Sequence, residues 1–107
     1  MAFHLISYGE SPRKDKKRQV VFMLGAERYN LHFGDRNYED FTTHGDEKRR
    51  LLYRLRAQKI KDKSGNTVFD NPSSPAFWSF NVLWSQRNEE RSLRQAIQKI
   101  NRRDYHL

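Results

Sequence analysis

Ser74 and Pro75 introduce a segment, residues 76–84, in which Phe77, Trp78, Phe80, Val82, Leu83 and Trp84 leave almost no polar side. Serine caps a helix and proline at the first helical position lacks only an N–H that would have been free anyway, so the pair marks a helix start. A helix that is apolar nearly all round has to be buried. In a chain of 107 residues with 36% apolar content, this segment is therefore expected to be the central helix, and the remainder of the chain must supply surfaces that cover it. Aromatic residues make up 13% of the chain, and each buries about 150 to 250 Å². A few large rings can build one core, and the length suits a single domain over residues 1–107.

Those surfaces come partly from strands. Phe3, Leu5 and Ser7 alternate with His4 and Ile6, which predicts a short strand. Residues 19–24 are rich in β-branched and aromatic side chains, residues 25–27 suit a tight turn, and Tyr29, Leu31 and Phe33 alternate onto one face before Gly34. The pattern predicts an antiparallel hairpin, or a three-stranded sheet if the first strand joins it. Between them, residues 10–18 read as a charged loop containing Pro12.

Two further helices are expected. Thr43 and Asp46 have the spacing of a capping box, so a helix is placed from residue 44 to about 60. Leu51, Leu52, Leu55 and Tyr53 form its inward stripe, and its outward side is a basic ridge. Residues 61–74, rich in Ser, Gly, Asn, Asp and Pro, read as a long exposed loop. Leu93, Ala96, Ile97 and Ile100 recur with helical spacing, and Ser92 with Gln95 suggests a cap for a terminal amphipathic helix. The fold class is α+β: an N-terminal antiparallel hairpin or three-stranded sheet packed on about three α-helices.

The chain carries 21 Lys and Arg against 13 Asp and Glu, for a net charge of +8. Residues 13–18 contribute net +4 and residues 46–63 net +5. Excess of this sign attracts nucleic acid, anionic lipid or acidic protein surfaces. The basic partner-binding residues expected are Arg13, Lys14, Lys16, Lys17 and Arg18 in the loop, with Arg49, Arg50, Arg54, Arg56, Lys59 and Lys61 on and after the helix. If the helix neutralised about five phosphates, duplex affinity would fall with a log–log salt slope of roughly −4.5. Trp84 is assigned to the core. Trp78 is expected to remain at the surface of so short a helix, as an aromatic hot spot for a protein partner.

Catalytic apparatus is harder to find. His44 with Asp46 is a close His and carboxylate pair, and nothing fixes His4, His32 or His106 beside it as a zinc site requires. A helix-capping Asp beside a partly exposed His accounts for the pair. Asp40, Asp46 and Glu47 could suggest a metal-dependent nuclease, but acids at a helix entrance are explained by the macrodipole. No catalytic residue, metal ligand or cofactor is assigned. Cysteine is absent, which suits a reducing compartment. The first eight residues are too short and polar for a signal peptide, and no apolar run approaches the length of a membrane span, so a soluble intracellular chain is expected.

The residues His32, Phe33 and Gly34, then Asp40, Phe41, Thr42, His44, Asp46, Arg49, Arg50 and Tyr53, then Pro75, Ala76, Phe77, Trp78, Ser79, Leu83 and Trp84, carry a resemblance. Across roughly residues 19–103 the chain resembles a family of small, uncharacterised basic proteins encoded by large nucleocytoplasmic DNA viruses of algae and amoebae. It departs from that pattern at Arg56 and Ala57, at Ala76 and Phe80, and over residues 66–71. The resemblance implies a viral setting and no mechanism. Within it, the expected role is a non-enzymatic minor virion component that binds capsid proteins or other acidic surfaces, located in the virion and in the host cell interior during assembly. The alternative is a nucleic-acid-binding protein that accompanies viral DNA or RNA.

Overall fold

The computed structural model describes residues 2–103, and the side chain of Arg103 and residues 104–107 are outside that description, His106 among them. The chain adopts an α+β fold. Three strands, β1 (Phe3–Glu10), β2 (Lys16–Leu24) and β3 (Glu27–Asp35), form an antiparallel sheet in the order β1-β2-β3. The hairpin turn is two residues long, with Leu24 paired to Glu27 and Gly25 in the left-handed region. Four helical elements follow: α1 (Phe41–His44), α2 (Glu47–Ala57), α3 (Pro75–Trp78), which continues as a π-helical turn over Ser79–Leu83, and α4 (Glu89–Arg103).

One face of the sheet carries Val20, Phe22, Leu24 and Phe33, and it is covered by Phe77, Trp78, Val82 and Leu83 and by Ala96 and Ile100 of α4. Trp78 is the hub. Its ring lies 5.3 Å from that of Phe22, 6.1 Å from Phe3 and 6.5 Å from Phe33, and its indole N–H donates to the Pro72 carbonyl at 2.9 Å. A fully buried indole needs such a partner, because an unpaired polar group in the core costs about 1–3 kcal/mol. The central helix is thus where its apolar composition demands. The expectation of a surface Trp78 is corrected: its exposure is 0%, because the sheet and α4 cover the sides that a short helix could not bury alone.

Several boundaries also differ from those read in the sequence. The charged loop shrinks to residues 11–15, because β1 runs to Glu10 and Lys16, Lys17 and Arg18 belong to β2. Alternation lets a strand carry cations on its borders while Val20 and Phe22 face the core. Alternation in β1 breaks at a register shift between Leu5 and Ser7, which brings Tyr8 to the core side.

The capping box belongs to a separate short helix. Asp40 caps α1 by accepting from the Thr42 N–H, and the Thr43 hydroxyl accepts from the Asp40 N–H. Gly45, at φ 62°, ends that turn. Helix α2 then starts afresh from Asp46, which accepts from Lys48 and Arg49 N–H, and it stops at Ala57 rather than near residue 60. In α4 the first residue is Glu89, Asn88 accepts from the Arg91 N–H, and Ser92 is buried, where its hydroxyl accepts from the Gln86 N–H. Of the long loop, residues 61–66 are exposed, whereas residues 67–74 are partly covered and Pro72 is buried.

Candidate functional site

Helix α2 keeps Tyr53 inward as expected but turns its leucines outward, opposite to expectation. Leu51, Leu52 and Leu55 are 55%, 47% and 49% exposed, and the side that faces the body of the protein is made of Arg50, Tyr53, Arg54 and Ala57. At 3.6 residues per turn these four share one face, just as the leucines share the other. What holds the helix is directional. Arg54 donates to the carbonyls of Phe80 and Trp84, both at 3.0 Å, and its guanidinium sits 3.8 Å from the centroid of the Phe80 ring. Arg50 donates to the Ser85 carbonyl at 2.7 Å and to Glu47 at 2.8 Å, over the ring of Phe41.

These carbonyls are the reason for the inversion. They lie in and just beyond the π-helical turn, where helix ends leave C=O groups without an intrahelical partner, and a guanidinium supplies several donors in one rigid fork. Burial, with Arg50 nearby, lowers the Arg54 pKa, as expected for a cation partly withdrawn from water. Tyr53 completes the attachment: its ring stacks on Trp84 at 4.2 Å and 8°, and its hydroxyl lies 3.0 Å from that of Ser79. Burial raises the Tyr53 pKa. Trp84, assigned to the core from sequence, packs against it only in part and serves as the platform for Tyr53.

Beside α2 lies a cleft of about 600 Å³. One wall is the start of β2 and end of β3 with Lys16, Lys17, His32 and Asp35, the other is α2 with Arg49, Leu52, Tyr53 and Arg56, and Ala76, Ser79, Leu83 and Trp84 form the floor. Tyr38, Glu39 and Asp40 close one end. Gly34 allows the sheet to approach the floor: at φ 80° a Cβ there would stand 2.6 Å from a methyl of Leu83. Asp40 is already satisfied, accepting from Lys17 Nζ at 2.7 Å and from Thr42.

The predicted basic residues divide into two groups. Arg13 pairs with Asp15, Lys17 with Asp40, Arg18 with Glu89, and Arg50 and Arg54 reach the contacts above. Glu89 also accepts from the Tyr8 hydroxyl. Although burial alone would raise it, Glu89 is held below the usual carboxylate range by Arg18 and Tyr8. The Tyr8 pKa is pushed up by burial and by Glu89. Lys17, Arg18, Arg50 and Arg54 tie distant parts of the fold together, whereas the Arg13 pair is local and exposed. Lys14, Lys16, Arg49, Arg56, Lys59 and Lys61 make no ion pair among the described residues. Lys48, Arg49 and Arg56 share the exposed side of α2 with the leucines, and Lys59 is exposed just past its end; Lys16 lines the wall of the cleft opposite Arg49 and Arg56.

The exposure of the leucines and the cleft itself are not read from the sequence, although Lys16, Lys17, Arg49 and Arg56 on its walls are among the basic residues expected to bind a partner. One signal was present: Arg50 with Arg54, and Tyr53 with Ala57, form a second helical stripe that competes with the leucines for the inward side.

The histidine pairing is structural. His44 Nδ1 accepts from the Asp46 N–H at 2.8 Å, its ring lies 5.3 Å from Trp84, and its Nε2 is buried without a hydrogen-bond partner among the described residues. His32 bonds Ser11 at 2.8 Å, and His4 is exposed. Among the described residues no group of three or more His, Cys, Asp or Glu side chains converges, and no helix is long and apolar enough to cross a membrane.

Residues 8–57 are similar to a family of unknown function (DUF5754), a stretch running from within β1 to the end of α2 and including both walls of the cleft and its closed end, but not its floor. Comparison with curated proteins and with solved structures gives no match.

Proposed function

We propose that this chain is a non-enzymatic interaction protein that uses the outer face of α2 to bind an acidic, partly apolar protein surface, and that it does so as a minor capsid-associated component of a large DNA virus. The observation that carries the interaction reading is the exposed stripe of Leu51, Leu52 and Leu55 bordered by Lys48, Arg49, Arg56 and Lys59. Contiguous apolar surface rimmed by polar residues marks interaction sites, and uncompensated cations on the rim select a partner of opposite charge. The sequence resemblance supplies the viral setting.

The same stripe weighs against a nucleic-acid partner, the alternative. A phosphate backbone rewards cations in an unbroken array, and here leucines occupy the middle of the array. Trp78, expected as an aromatic hot spot for a protein partner, is in the core, so the protein-partner reading rests on the leucines instead.

The test is made on the virus. Mass spectrometry of purified virions should find the protein at a copy number comparable to a structural subunit, and a photo-crosslinker carried at position 55 should join it to a virion structural protein. Absence from virions overturns the capsid role. Crosslinking to nucleic acid instead, with a binding constant that falls steeply with salt, overturns the protein-partner reading.

A further inference from the structure

We propose that the outer face of α2 and the cleft beside it form one docking site for an amphipathic helix of the partner. That helix carries carboxylates two turns apart on either side of a large apolar side chain that enters the cleft. The inference rests on the reading of α2 as the partner-binding face.

The two features share an edge. Arg49, Leu52 and Arg56 belong to the exposed part of α2 and also line the cleft, so any occupant of one borders the other. Seven residues of α-helix rise about 10.5 Å. The edge is therefore a leucine set between two arginines whose backbone positions are about that far apart along the helix, neither of them in an ion pair among the described residues.

That separation selects the partner's secondary structure. A β-strand presents side chains of one face at every second residue, so its carboxylates fall about 6.6 or 13 Å apart, and both arginines would have to bend together or splay by a few Å to meet them. An α-helix places residues i and i+7 on one side about 10.5 Å apart, with i+3 and i+4 between them. Laid along α2, it meets Arg49 and Arg56 with its acids, each able to accept two parallel N–H bonds. Its central residue then stands over Leu52, facing a floor to which Ala76, Leu83 and Trp84 contribute apolar surface. Leu51 and Leu55 are covered in the same contact.

Charge settles the remaining choices of occupant. A second copy packed α2 on α2 would bring the arginines of the two helices together, a like-charge juxtaposition that costs several kcal/mol, and the net charge of +8 on each chain opposes self-association. Away from α2, Lys16 shares the wall with Asp35, and Glu39 stands at the end, so that side attracts a carboxylate less than the Arg49 and Arg56 rim does and leaves the interior to an apolar group. The partner's acids stay at the α2 rim.

The probe is a synthetic helical peptide with Glu at two positions seven apart and Leu at the third and fourth positions after the first Glu, titrated against the full chain by fluorescence anisotropy. Saturable binding is expected, weakened by about tenfold or more in the Arg49→Glu, Arg56→Glu double variant. A peptide with Lys in place of both Glu should restore binding to that variant to within about threefold of the original pair. Ala76→Phe, which fills the cleft from α3 and leaves the arginines in place, should weaken the Leu peptide about tenfold and leave a peptide with Ala at the central positions unaffected. Circular dichroism confirms that each variant is folded. Equal binding by a peptide with its acids five apart, absence of charge-swap rescue, or tighter binding to anionic vesicles or duplex DNA than to the peptide overturns the proposal. If the peptide fails while position 55 still crosslinks to a virion protein, the helical geometry falls and the interaction reading stands; if both fail, both fall.

Discussion

Helices α2 and α3 both come from stretches that contain large apolar residues, and they are attached to the protein in opposite ways. Helix α3 and its π-helical turn are held by burial: Phe77, Trp78, Val82 and Leu83 have almost no contact with water. Helix α2 is held by guanidinium groups on backbone carbonyls and by one stacked tyrosine, and its leucines are left outside. Burial is non-directional and tolerates any neighbour that excludes water. Hydrogen bonds to a helix end specify one orientation. The difference teaches that the apolar side of a helix faces the core only when the core has no stronger claim on its polar side.

The contrast can be broken at its strongest point first. Trp78→Ala removes the hub of the core and should cost about 3–5 kcal/mol, read as a lowered midpoint in urea unfolding; a loss below about 1 kcal/mol would mean that the aromatic cluster does not carry the fold. Arg54→Met keeps the bulk of the side chain but leaves the Phe80 and Trp84 carbonyls without that donor. It should cost about 2 kcal/mol, with hydrogen exchange accelerated in α2 ahead of the sheet. Uniform acceleration would show that α2 is not separately held.

The ion pair that ties α4 to the sheet gives a smaller, pH-dependent effect. Glu89 has its pKa lowered in the folded protein, so its contribution is present above the ordinary value near 4.5 and is lost as pH falls through the lower folded value. Glu89→Gln should therefore destabilise by about 1–2 kcal/mol at pH 7, and the gap from the parent protein should narrow as the pH is taken below that window. A gap that does not change with pH would remove the charge from the explanation. The smallest effect on folding is expected at the exposed stripe: Leu51→Asp with Leu55→Asp should shift stability by less than about 0.5 kcal/mol per site while abolishing incorporation into virions. A large loss of stability would mean that the leucines are covered within this protein.

The strands and the central helix were legible because their signals are local. Tyr29, Leu31 and Phe33 alternate, and no arrangement of residues 76–84 avoids burial. The orientation of α2 was not, since it depends on carbonyls that become free only when the segment after Trp78 winds into a π-helical turn more than twenty residues away. Trp78 was misplaced for the related reason that a short helix was judged by its own surface, without the sheet and α4 that enclose it. Of the cations, Arg18 and Lys17 read as ligand-binding residues until Glu89 and Asp40, distant in sequence, arrive as partners. Composition locates charge; only packing shows which charges are already matched.

Because α2 is anchored through Arg50, Tyr53, Arg54 and Ala57, substitutions at Leu51, Leu52 and Leu55 are released from the demands of folding. Two selective pressures, one to stay folded and one to fit a partner, act on interleaved positions of a single helix without competing. A lineage carrying such a helix can retarget it one leucine at a time, at a small cost in stability for each step.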